Sequence, residues 1–168
     1  MNIIKNSKGI TLLELLAVLV IGTIFSLLAF NILFDLMKTE ERVKSETQLR
    51  DTADFYLARL SRWLYVLNEG DVCGDLQHSE EPGNTYSYIQ TGDCDNSSNM
   101  KVTGFFRNSD ALSLYIEGVE IKAGDDRIKI GDSSYIEKDK NIYSVSLTLL
   151  YNGKSKTFKA EVQSMLNE

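Results

Sequence analysis

The sequence predicts an α+β protein in which a long N-terminal helix precedes an antiparallel sheet. Three observations predict it. An apolar stretch runs from Ile10 to Phe34, a stripe at three- and four-residue spacing continues from Ala53 to Leu67, and two hairpin patterns with period-two alternation lie beyond Met100.

At 168 residues with 43% hydrophobic side chains, the chain can bury a core of its own. Its formal net charge of −6 argues against nucleic acid as a partner, because a phosphate-binding surface needs clustered Lys and Arg not offset by acids.

In the apolar stretch Glu14 is the only charge and Asn31 the only other strongly polar group. About 25 residues at a rise of ~1.5 Å span roughly 37 Å, more than a hydrocarbon core of about 30 Å. A buried soluble helix of this length would carry a polar face, so membrane lipid is the expected surrounding. Before it, Met1 to Gly9 holds Lys5 and Lys8 and no acid, a short cationic leader. A secretory signal should be shorter and end in a small-residue cleavage site, but this run continues into Asp35-Leu36-Met37-Lys38. A retained anchor, or a segment cut ahead of the apolar run, is left.

Lys8-Gly9-Ile10-Thr11-Leu12-Leu13-Glu14-Leu15-Leu16 resembles the processing site of type IV prepilins and of the pseudopilins of type II secretion and competence systems. In that family a membrane-embedded prepilin peptidase cuts after the Gly at the cytoplasmic face and methylates the new N-terminus. The resemblance therefore implies cleavage between Gly9 and Ile10, with Glu14 as the fifth mature residue. Ile10 stands where Phe or Met is commoner and is likewise large and apolar. Physical reasons accompany each position. Gly9 has no Cβ and lets a protease approach the backbone closely. A carboxylate in hydrocarbon costs roughly 2.5–3.5 kcal/mol at a helix centre and less near an end, so Glu14 calls for a partner. The resemblance supplies one, the new α-amino group of Ile10 on a neighbouring subunit; the alternative is that Glu14 only reaches the head groups.

Lys and Arg flank the stretch on both sides, with Lys38, Arg42 and Lys44 after it, so counting them does not orient the span. The processing motif does: it implies a single pass through the cytoplasmic membrane, N-terminus cytoplasmic and head extracytoplasmic, then a place in a cell-surface or periplasmic filament. The expected divisions are a leader over 1–9, a transmembrane half-helix over 10–37, an amphipathic half-helix over 38–68, and a loop with an antiparallel β-sheet head over 69–168.

From Lys38 the pattern stays helical while its chemistry changes. Glu40 with Lys44 and Glu46 with Arg50 are i,i+4 pairs in the favourable order. Ala53, Tyr56, Leu57, Leu60, Leu64 and Leu67 form a core stripe, and no Pro interrupts Ile10 to Asn68. Gly22 is the expected soft point and Gly70 the expected cap. Asp71 to Asn99 collects Gly, Pro, Asn and Ser and reads as one or two loops. It holds both cysteines of the chain, Cys73 and Cys94. In an extracytoplasmic domain a disulfide is their natural reading, worth about 3 kcal/mol by the loop-entropy model. The spacing is neither C-x-x-C nor part of a four-ligand set, which disfavours redox and zinc sites.

Leu112 to Ile116 should turn through Glu117-Gly118 and pair Ile116 with Val119, Leu114 with Ile121 and Leu112 with Ala123. Gly124-Asp125 should turn into a third strand, placing Ile128 and Ile130 opposite Ile121 and Val119. Asn152-Gly153, a preferred type I′ turn, should pair Leu147 with Phe158, Val145 with Ala160 and Tyr143 with Val162. The second half of the helix is expected to pack on this sheet, a placement that rests partly on the resemblance.

No nucleophile motif, phosphate loop or metal motif occurs, so no catalytic or metal-ligating residue and no cofactor is expected. Acids at Asp93-Cys94-Asp95-Asn96 and Asp125-Asp126 read as solvated turn residues before a calcium site. Two functions stay open. One is a structural subunit, a minor pilin or pseudopilin of a secretion, competence or adhesion machine, whose partners would be prepilin peptidase, other subunits and the inner-membrane assembly platform. The other is a membrane-anchored monomeric cell-surface binding protein.

Overall fold

A computed structural model describes residues 12–79, 85–94, 99–108 and 111–165. The predicted cleavage pair Gly9 and Ile10, the turn at Pro82-Gly83 and the acids from Asp95 onward in the second cysteine's loop lie outside the described residues. The chain divides into two compact units, Met1–Lys44 and Ser45–Glu168, and helix α1 (Leu12–Val66) contributes to both.

In the first unit α1 consists largely of Leu, Ile, Val, Ala and Phe, and Gly22 does not interrupt it. Its most apolar 18 residues have a mean hydropathy of 2.5, and none of that window is buried. Its hydroxyls return to the helix: Thr23 Oγ1 donates to Val20 O (2.8 Å), Ser26 Oγ to Gly22 O (2.9 Å) and Thr39 Oγ1 to Asp35 O (2.8 Å). A hydroxyl satisfied in this way suits a helix surrounded by hydrocarbon, where water is absent. The helix fits a membrane anchor.

In the second unit the helical stripe becomes core. Leu49, Ala53, Tyr56, Leu60, Leu64 and Leu67 are buried and cluster with Ile89, Phe105, Leu114, Ile136, Val145, Leu147 and Leu149 of the sheet. Burying a leucine such as Leu60 or Leu64 stabilises by roughly 1.5–3 kcal/mol. The expected helix end differs. α1 stops at Val66, Leu67 N donates back to Leu64 O (3.4 Å), and a 3₁₀ turn follows over Glu69–Asp71. Gly70 lies inside that turn and does not form the left-handed cap expected of it, because the 3₁₀ turn already uses the Asn68 carbonyl as acceptor for Asp71 N (3.1 Å).

The strands are β1 (Gln77–Ser79), β2 (Tyr86–Thr91), β3 (Lys101–Asn108), β4 (Ala111–Ile116), β5 (Val119–Ile121), β6 (Lys129–Ile130), β7 (Tyr135–Asp139), β8 (Ile142–Tyr151) and β9 (Lys154–Gln163). Among the described residues they form one antiparallel sheet in the order β1-β2-β3-β4-β6-β8-β7, with β5 on β4 and β9 on β8. β1 and β2 replace much of the expected loop. They escape an apolar pattern because the inward positions of β2 are Ser87, Ile89 and Thr91, two of them polar, while Tyr86 and Tyr88 face outward.

The β8–β9 hairpin has the predicted register at all three pairs, with Asn152 at φ 49° and Gly153 at φ 74°. β4–β5 pairs Ile116 with Val119 and Leu114 with Ile121 as predicted, turning on Glu117 (φ 52°) and Gly118 (φ 80°). The rest of that meander is corrected. β5 ends at Ile121, so Leu112 meets Ile130 of β6 in place of Ala123, and β6 lies on β4, not on β5. The reason is visible after β5: Ala123 N donates to the Tyr56 hydroxyl (3.0 Å), which diverts the chain to the helix before it can continue the ladder.

Two serines close the sheet where backbone pairing fails. Between β6 and β7, Ser134 Oγ accepts from Thr148 N (2.9 Å) and donates to Thr148 O (3.2 Å). On the inner side of β2, the fully buried Ser87 Oγ accepts from Ile136 N (2.8 Å) and donates to Ile136 O (2.9 Å), satisfying the outer edge of β7. Beside it Gly104 has φ 136°, and a Cβ there would lie 2.4 Å from Ser87 O, so only glycine permits this spacing of β2 and β3.

Candidate functional site

Glu14 lies in the first turn of α1 as described and is exposed, in a surround of exposed Leu12, Leu13, Leu15 and Leu16. The other motif residues, Gly9 and Ile10, lie outside the described residues, so no geometry joins them to Glu14.

In the head, Cys73 and Cys94 form a disulfide with Cα atoms 5.2 Å apart. The local backbone prepares it: Val72 bridges to Thr91, Cys73 N donates to Gln90 O (2.8 Å), and Gly92 N donates to Asp71 O (3.3 Å). The bond thus staples the segment after the 3₁₀ turn to the chain leaving β2. Sequence reading placed this pair correctly but in a loop, whereas much of the intervening segment is strand.

Three acids of the head, Asp125, Glu120 and Asp132, are engaged in local structure. Asp125 Oδ1 accepts from Arg127 N (3.1 Å) and Nε (2.9 Å), and Oδ2 accepts from the same guanidinium (2.8 Å). These bonds hold the Asp125 carboxyl down at about 2 and raise the Arg127 pKa. Glu120 accepts from Ser113 Oγ (2.8 Å) and pairs with Lys122 (3.2 Å), which lowers its pKa. Arg107 bonds Asp132, and burial raises the pKa of the Tyr56 hydroxyl that receives Ala123 N. Among the described residues no three His, Cys, Asp or Glu side chains converge as metal ligands. His78, the chain's single histidine, stands on β1 with its ring 6.1 Å from that of Tyr135 in an edge contact.

Sequence reading passed over Ser87, Ser134 and Trp63. Only Trp63 carried a signal, as the one tryptophan of the chain.

The architecture is a long helix, apolar in its first half, whose second half packs on an antiparallel sheet, the arrangement of a pilin-like fold. The family model for the prokaryotic N-terminal methylation motif matches residues 4–30, a span that contains Gly9, Ile10 and Glu14. Motif and fold together support a type IV pilin-like protein. No curated protein and no solved structure matches the chain.

Proposed function

We infer that the protein is a structural subunit, a minor pilin or pseudopilin, incorporated into a filament of a secretion, competence or adhesion machine after cleavage between Gly9 and Ile10. The match over residues 4–30, at the head of an outward-facing apolar helix, carries this reading. Prepilin peptidase would process it in the cytoplasmic membrane with the head outside. The inner-membrane assembly platform and neighbouring subunits would then receive it. The Cys73–Cys94 bond supports an extracytoplasmic head, because disulfides persist in oxidising compartments.

Glu14 supplies the test. If it pairs with the Ile10 amine of a neighbour, its carboxylate serves assembly and not insertion, since removing a charge from hydrocarbon eases insertion. Glu14→Ala is expected to leave membrane insertion and cleavage intact, by fractionation and intact mass, while incorporation into sheared filaments falls. Glu14→Asp should rescue partly. Loss of insertion with normal assembly of whatever inserts would overturn the pairing.

A further inference from the structure

Where α1 ends, the head opens into a cleft of about 370 Å³. Its apolar lining comes from the end of α1 and the residue after it, Trp63, Val66 and Leu67. Its polar lining comes from Asp71, Thr91, Lys101 and Glu117. The cleft lies wholly within Ser45–Glu168.

Its walls are rigidly placed. Thr91 is bridged to Val72 next to the Cys73–Cys94 bond, and Glu117 N donates to Thr103 Oγ1 (2.8 Å). Glu117 also holds a left-handed backbone, φ 52°, in a two-residue turn where Asn, Asp or Gly is the cheaper residue. Lys101 and Glu117 are exposed and Trp63 is half-buried, so part of each is open to the cleft they line.

We propose that this cleft is a saccharide-binding site for one or two sugar rings. A pyranose has an apolar C–H face and hydroxyl edges, and the cleft lining likewise combines apolar and polar groups. Trp63 offers the ring face, and Lys101 and the indole N–H donate while Asp71, Glu117 and Thr91 accept. Each sugar hydroxyl both donates and accepts, so it uses acids and a base together without bringing a net charge to be desolvated. The volume falls within the usual range of small-molecule sites, roughly 300–1,000 Å³. A phosphate-rich ligand would meet two carboxylates against one lysine, and a purely apolar one would strand the charged wall.

Because Trp63 is the sole tryptophan, intrinsic fluorescence of the full chain reads the cleft directly. The chain in a sugar-free zwitterionic detergent would be titrated with lactose, maltose and N,N′-diacetylchitobiose, with triglycine as the peptide probe. At least one disaccharide should shift the emission saturably and shield Trp63 from acrylamide. Lys101→Ala should weaken that binding tenfold or more, about one decade in Kd. Glu117→Asn should do the same while raising Tm, since Asn suits φ above zero. No saturable response to the three disaccharides, a response to triglycine alone, or saccharide binding unchanged in both variants would each overturn the site. These outcomes are independent of cleavage after Gly9 and of filament incorporation, so failure here leaves the subunit reading standing.

Discussion

Every described residue from Leu12 to Lys44 is exposed, whereas from Ser45 onward the same helix buries a residue on almost every turn. The local chemistry of hydrogen bonding is identical in the two stretches; what differs is what covers the apolar groups. In the first unit leucines point outward all round, a surface suited to lipid. In the second they point one way, to a sheet that the chain itself provides. The anchor is therefore readable one residue at a time, while the head depends on partners distant in sequence.

The largest expected effect separates the regions completely. Gly9→Val adds a β-branched side chain at the cut and should abolish removal of the leader by prepilin peptidase, with the head unaltered. Intact mass after co-expression reads the first point and thermal unfolding of the head the second. An unchanged mass for the unsubstituted chain with active peptidase would break the reading of the anchor.

A second contrast uses one substitution in two places. Leu64 is 0% exposed and Leu19 62%. Leu64→Ala should cost the head roughly 2–5 kcal/mol in denaturant unfolding, and Leu19→Ala less than about 0.5 kcal/mol. Equal losses would mean that the anchor contributes to the head's core.

Serine gives a finer version of the same contrast. Ser87→Ala strands the buried N–H and C=O of Ile136 and should cost about 1–3 kcal/mol. Ser26→Ala removes only an additional donor to Gly22 O and should leave head stability within about 0.5 kcal/mol of the unsubstituted chain.

The smallest effect concerns pH. Asp125 has a folded pKa depressed to about 2 by Arg127, so its stabilisation is present above the unfolded value near about 3.9 and is lost as pH falls from there through about 2. Melting curves across that window should show a shallow acid limb that Asp125→Asn reduces. An identical limb in the variant would show that other carboxylates carry it.

Legibility follows the same division. The helix, its core stripe and the β8–β9 register were all readable, because Asn152-Gly153 and an unbroken alternation allow one pairing. β2 was not readable as a strand, since Ser87 and Thr91 face inward for hydrogen bonding and spoil the apolar period. The β5–β6 connection misled for a related reason: the alternation from Val119 to Ile130 looks continuous, yet the Tyr56 hydroxyl takes Ala123 N and ends the ladder. The disulfide was anticipated from compartment and count, but the strand it anchors was not. Trp63 and Glu117 come from different elements, and nothing in their spacing announces a shared cleft.

The sequence by itself determined the apolar span, the methylation motif over residues 4–30, the amphipathic stripe and the two hairpin turns. Each of these is encoded within a few turns of chain, where periodicity and residue type suffice. Tertiary structure alone decided that Ser87 would close the edge of β7, that β6 would join β4 ahead of β5, and that Trp63, Lys101 and Glu117 would line one cleft. Those outcomes require groups far apart in sequence to satisfy one another's hydrogen bonds and volume, and such complementarity exists only once the chain has folded.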